Sequence, residues 1–93
     1  MVSQVKYKKN SRIKNIVLDV LKSHSPPLPE FATFISTLDG LNKVDINLME
    51  IHGKTESLKV TLNGSNIKFD ALKELMEKHG AVIHSVDQVI AEK

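Results

Sequence analysis

The 93-residue sequence predicts an α+β fold, a sandwich of βαββαβ order, on three observations. Four stretches alternate apolar and polar residues with the two-residue period of a half-buried strand. Two others repeat apolar residues at i, i+3, i+4 and i+7, the stripe of an amphipathic helix. Glycine, proline and asparagine punctuate the joins between them.

Taken in order, residues 1–11 (MVSQVKYKKNS) are polar and carry Lys6, Lys8 and Lys9. They read as a flexible basic tail, and residues 12–93 as a single domain. Residues 12–22 (RIKNIVLDVLK) form the first strand. Ile16, Leu18 and Val20 lie on one face, and Val17, Asp19 and Leu21 on the other. The next stretch, SHSPPLPE, holds three prolines and is a loop. Pro29 suits the first turn of a helix, where its missing N–H costs nothing. That helix carries Phe31, Phe34, Ile35 and Leu38 on one side and ends at Gly40 as a left-handed cap. The second strand is 43–51 (KVDINLMEI), with Val44, Ile46 and Leu48 inward. HGKT makes a turn with positive φ at Gly53. The third strand, 57–63 (SLKVTLN), turns Leu58, Val60 and Leu62 inward.

Ser65 or Asn66 then caps a second helix. Its apolar side holds Ile67, Ala71, Leu72, Leu75 and Met76; Lys73, Glu74, Glu77 and Lys78 lie opposite. Gly80 closes it, and GAVIHSVDQVIA, residues 80–91, forms the fourth strand. The faces of this strand stay open, because Val82, His84 and Val86 share one side and Ile83, Ser85 and Asp87 the other. A right-handed crossover through the first helix leaves room for the third strand between the first two. The result is a ferredoxin-like sandwich: a four-stranded antiparallel sheet, order 4-1-3-2, with both helices on one face.

Composition narrows the chemistry. The chain has no cysteine, so disulfides, thiolate nucleophiles and Cys-ligated metals are excluded. A net charge of +2 is too small to argue for nucleic acid. No apolar run approaches the ~20 residues of a membrane span. With no apolar signal segment at the N-terminus, the expected location is cytoplasmic.

The topology brings scattered polar residues toward one end. The exit of the first strand carries His24. The second strand's exit and the following turn carry Glu50, His52 and Glu56, and His79 closes the second helix there. Asp19 and His84 lie a little below on adjacent strands. One expectation is a divalent-metal site built from Asp19, His24, Glu50, His52 and Glu56, with His84 in reserve. The ion would be calcium, magnesium or zinc, since imidazole and carboxylate ligands together do not choose between them. The alternative is that these are ordinary polar loop residues, with His79 favoured at a helix C-terminus. His84 could bond a backbone carbonyl or Asp19, or face a neighbouring subunit along a sheet edge. Val17, Leu21, Met49 and Ile51, beside Asp19, Asn47 and Thr61, make the open sheet face half apolar. Such a face is expected to be covered, by copies of the same chain.

Rival functions on this fold each need their own residues. Phe31, Phe34 and Phe69 are on helices, so no strand aromatics stack RNA bases. A copper chaperone needs Cys-x-x-Cys, which is absent. The loop after the first strand has neither the arginine nor the glycine of a phosphate cradle. A small-molecule-sensing regulatory role stays open as an alternative. Catalysis could be sought at His24 with Ser23 or Ser25, or at His84 with Ser85 and Asp87. Adjacent strand residues point to opposite faces, so His84 and Ser85 cannot share a proton directly, and His84 and Asp87 are likewise on opposite faces unless a bulge intervenes. The balance leans against an enzyme.

The segments IVLDVLKSHSPPLPEFA, INLMEI, TESLKVTL and GAVIHSVDQV resemble a family of small archaeal proteins of unknown function with a ferredoxin-like fold. The likeness covers residues 13–91. It is most specific at Leu18 to Lys22, His24 and Pro26, at Met49 to Ile51, at Thr55 and Glu56, and at His84 to Asp87. It implies a homo-oligomer, a ring of about seven copies or a stacked pair of rings, and a bound divalent cation. Gln88 stands where the family usually has an acidic residue, which weakens a site at that end of the strand.

Overall fold

Alternation decides the sheet. The computed structural model describes residues 11–93. Its strands are β1 (Arg12–Ser23), β2 (Leu41–His52), β3 (Thr55–Gly64) and β4 (Ala81–Glu92). Helix α1 (Leu28–Ser36) joins β1 to β2, and α2 (Phe69–Lys78) joins β3 to β4. The tail expected over residues 1–11 lies, apart from Ser11, outside the described residues. The sheet order is β2-β3-β1-β4 and neighbours are antiparallel, the topology expected from the sequence.

The central strands carry the core. Ile16, Leu18 and Val20 of β1 and Leu58, Val60 and Leu62 of β3 are fully buried. Phe31 and Ile35 of α1 and Leu72 and Met76 of α2 close over them, with Ile67 and Ala81 at the margins. Each such side chain contributes roughly 1.5–3 kcal/mol of burial. The edge strands give less: Val44 and Ile46 of β2 and Ile83 of β4 are only half-buried.

Both helices differ in their ends from the sequence expectation. α1 stops at Ser36 with Thr37 as C-cap, so Leu38 and Gly40 lie beyond it. Gly40 does take φ +87, but it turns the chain into β2. Its carbonyl accepts from Ser65 N and Asn66 N at 2.8 and 3.3 Å. A Cβ at Gly40 would collide with the Asn66 carbonyl oxygen, so the junctions α1–β2 and β3–α2 cross in contact. This crossing also moves the start of α2. With Ser65 and Asn66 bound to Gly40, and Ile67 N donating to Ile13 O, the helix begins after Lys68. Neither Ser65 nor Asn66 is its cap, and Ala71 is exposed where the pattern places it inward.

Bulges settle the strand faces. Residues opposite one another share a face. In β2 the register shifts between Leu48 and Glu50, leaving Met49 unpaired; Glu50 then opposes Ser57 and Ile51 opposes Glu56. Ile51 is thereby carried to the helix side, not to the open face where simple alternation puts it. In β4 the shifts fall at His84 and Asp87. Ile83 packs on the core beside Val20, Ser85 lies opposite Asp19, and Val86 opposite Leu18. The open face is therefore more polar than alternation suggests. The row Asn47, Lys59, Asp19, Ser85 crosses it from edge to edge.

Candidate functional site

The most organised polar cluster is at the end of the sheet where β1 leaves it. Lys22 continues the inward series Ile16, Leu18, Val20, and so must point into the core. It is 1% exposed. Glu56, two residues before Leu58, faces the same side by the same parity and stands opposite Lys22. An ammonium in such a place must find acceptors. Lys22 Nζ donates to the Ser23 carbonyl at 2.8 Å, to Glu56 Oε1 at 3.3 Å and to the His24 carbonyl at 3.5 Å. It also lies 5.7 Å from the centre of the Phe31 ring, within cation–π range.

His24 completes the cluster from the β1–α1 loop. Its Nδ1 is 3.0 Å from Glu56 Oε2 and its Nε2 is 3.1 Å from the carbonyl of Gly53, in the β2–β3 turn. Both ring nitrogens thus face oxygen acceptors, a setting that suits the doubly protonated imidazolium. The hydrogen bond to Glu56 and then that to Gly53 O raise the His24 pKa above its ordinary 6.5. In turn, His24 and then Lys22 hold the Glu56 carboxyl below its ordinary 4.5, against the opposing effect of burial. His24 is thus engaged by Glu56 and by the Gly53 carbonyl, and Glu56 by both His24 and Lys22. The Lys22–Glu56 ion pair and the His24 contacts together make a polar triad that joins β1, β3 and two loops.

The other residues singled out in the sequence fall into separate places. His52 Nε2 and Glu50 Oε1 are 2.8 Å apart, both exposed, and Glu50 shares the open face with Ser57. Asp19 sits on the same face, lower, between Lys59 and Ser85. His84 is exposed at its bulge, and His79 stacks on Phe34 with ring centres 4.1 Å apart. So the candidate ligands gather as two pairs, His24 with Glu56 and Glu50 with His52. Among the described residues no group of three or more His, Asp or Glu comes together. The candidate trio on β4 is half assembled: Ser85 Oγ donates to Asp87 Oδ1 at 2.8 Å. In the first loop Ser23 Oγ donates to the Ser25 carbonyl instead of to His24.

A wide cleft of about 500 Å³ separates the end of α1 from α2. Leu38, Ala71 and Leu75 line it with Asp39, Lys68, Glu74 and Lys78, so its charges balance. No described helix is long and apolar enough to cross a membrane.

Lys22 is absent from the set of ligand types that the sequence suggests, although it stands two residues from His24. Its signal is nevertheless present, since the parity of Val20 already turns it inward.

Fold and cluster together define a small ferredoxin-like α+β protein, with a polar triad pinned at one end of its sheet. Residues 14–93 match the model of the DUF211 family, described as uncharacterized ArCR. The chain is also 42% identical, over 81 residues, to the uncharacterized protein MJ0319 of Methanocaldococcus jannaschii; the match covers 87% of this chain and 84% of that protein. The chain belongs to this DUF211 family, whose function is unknown.

Proposed function

We propose that the protein is a homo-oligomeric assembly module that associates through the two edge strands of its sheet. One observation carries this reading. Among the described residues, Leu48, Met49 and Ile51 of β2 and Val82, Val86, Val89 and Ile90 of β4 make seven of the nine large apolar side chains left exposed. The two others are Leu21 and Phe34. Exposed apolar residues scattered singly need no explanation, but a concentration on both free edges does. Edge strands also present unpaired N–H and C=O groups, which favour contact with another chain.

The apolar stretches sit on opposite edges, so the contact joins β2 of one copy to β4 of the next. A head-to-tail contact of this kind closes into a ring when its rotation allows. The ring of about seven copies implied by the family likeness is such a closed form. A small core gives the same direction: a chain of this length buries only roughly 60–65% of its unfolded surface, and association adds burial.

Light scattering on the purified protein at micromolar concentration tests the reading. The expected mass is a multiple of the 10.4 kDa chain. A monomer across that range sinks it.

A further inference from the structure

We propose that Asp39–Gly40 is a site of spontaneous isoaspartate formation, and that the sheet shields the neighbouring Asn63–Gly64 pair from the same chemistry. Of the four glycines, Gly40 follows an aspartate and Gly64 an asparagine. The main-chain nitrogen after an Asp or Asn attacks the side-chain carbonyl carbon most readily when it belongs to glycine, because no Cβ crowds the approach. Neither glycine can be exchanged here. A Cβ at Gly40 would collide with the Asn66 carbonyl oxygen, and one at Gly64 with the Gly40 carbonyl oxygen. The crossing of the α1–β2 and β3–α2 junctions therefore holds two labile pairs side by side.

Their backbones differ. Asp39 is exposed, in the turn between α1 and β2, and Gly40 follows it at φ +87. The Gly40 carbonyl accepts from Ser65 and Asn66, and the Leu41 nitrogen donates to the Leu38 carbonyl. Among the described residues no backbone acceptor takes the Gly40 N–H, so this nitrogen is free to approach the Asp39 carboxyl. Asn63 is half-buried within β3 and paired on both sides, with Asn15 of β1 and Lys43 of β2. Its Oδ1 accepts a hydrogen bond from Asn15 Nδ2. Extended ψ holds the following nitrogen away from the side-chain carbon. Ring closure at Asn63 would have to rotate Gly64 out of its place opposite Leu41 and break the local ladder.

At Asp39 the Gly40 nitrogen bonds to the carbon of the protonated carboxyl and gives up its proton, and water leaves. The product is a succinimide ring. Water then opens it. Cleavage at the original main-chain carbonyl leaves the chain running through the side-chain carbon as isoaspartate; cleavage at the other carbonyl restores aspartate. Only water leaves and returns. The isoaspartate lengthens the main chain by a methylene just before Gly40, and so displaces the carbonyl that the Ser65 and Asn66 nitrogens share.

The test warms the full-length protein at neutral pH, below its melting temperature, in heavy-oxygen water. A second sample is kept in urea. Incubation runs until the unfolded chain carries label at Asp39. Both samples are then digested with trypsin in ordinary water and sequenced by mass spectrometry. In the folded protein, peptide 23–43 should carry heavy oxygen and isoaspartate at Asp39, while peptide 60–68 keeps the Asn63 amide. In urea the order should reverse, with Asn63 deamidating first. Asp39→Glu, whose longer side chain closes the ring far less readily, should abolish the label in 23–43. Deamidation of Asn63 ahead of Asp39 in the folded protein overturns the proposal. So does an Asp39 that stays unlabelled in the folded protein, a label in 23–43 that survives Asp39→Glu, or an unfolded chain in which Asn63 lags behind Asp39.

Discussion

A lysine at the end of an apolar series is where the balance of forces is easiest to see. Lys22 is buried because strand parity leaves it no other direction, and it is tolerated because three oxygens and an aromatic face receive it. Removing one member of a buried pair leaves the other uncompensated. Lys22→Ala is therefore expected to cost about 3 kcal/mol, read by urea unfolding. Lys22→Met, which keeps the stem on Phe31, is expected to lose less. The pH profile of stability follows from the two shifts. His24 is raised above 6.5, so its contribution is complete below 6.5 and is lost as pH climbs through the folded value. Glu56 is lowered below 4.5, so its contribution is complete above 4.5 and is lost as pH drops through the folded value. Unfolding midpoints measured across pH should thus show a shoulder between 4.5 and 6.5 that Glu56→Gln flattens. An unchanged profile in that variant would mean the triad carries no linkage. That Lys22 and Glu56 share the inward face is legible from alternation; that they stand opposite one another follows from the register of β1 and β3. The partners of His24 are not, because its ring reaches a carbonyl that no side-chain pattern marks.

At the scale of elements, regular periodicity is readable and its interruptions are not. The buried faces of β1 from Ile16 to Lys22 and of β3 from Leu58 to Leu62 follow alternation residue by residue. A bulge adds one residue without a distinctive sequence, so Met49, His84 and Asp87 reverse the parity after them unannounced. That is why alternation puts Ile51 on the open face and leaves the sides of β4 ambiguous. Helix ends depart from expectation for a related reason: Ser65 and Asn66 have capping side chains, but tertiary contact with Gly40 uses their backbone first. Gly40 itself should tolerate no side chain, because its φ is positive and the Asn66 carbonyl oxygen occupies the place a methyl group would take. Gly40→Ala should lower stability by more than about 2 kcal/mol, whereas Gly53→Ala, with open space around it, should suffer only the turn strain of about 1 kcal/mol. Equal losses in thermal melts would contradict the crossing of the two junctions.

For the whole molecule, strand order emerges from chirality and loop length, and so it is foreseeable from one sequence. The gathering of histidines is foreseeable only coarsely. Topology places them toward one end, yet the sheet has two faces, and His24 with Glu56 is separated from Glu50 with His52 by that plane. The proposed association belongs to the same plane's borders. The apolar side chains that the helices leave uncovered lie mainly on β2 and β4, and replacing them with charge should leave the core intact. Sedimentation of the wild-type protein beside a Val86→Lys/Val89→Lys variant tests this most directly. The wild type should sediment as a multiple of 10.4 kDa and the folded variant as a single chain. A wild type of one chain, or a variant that keeps the wild-type mass, would contradict assembly through these edges.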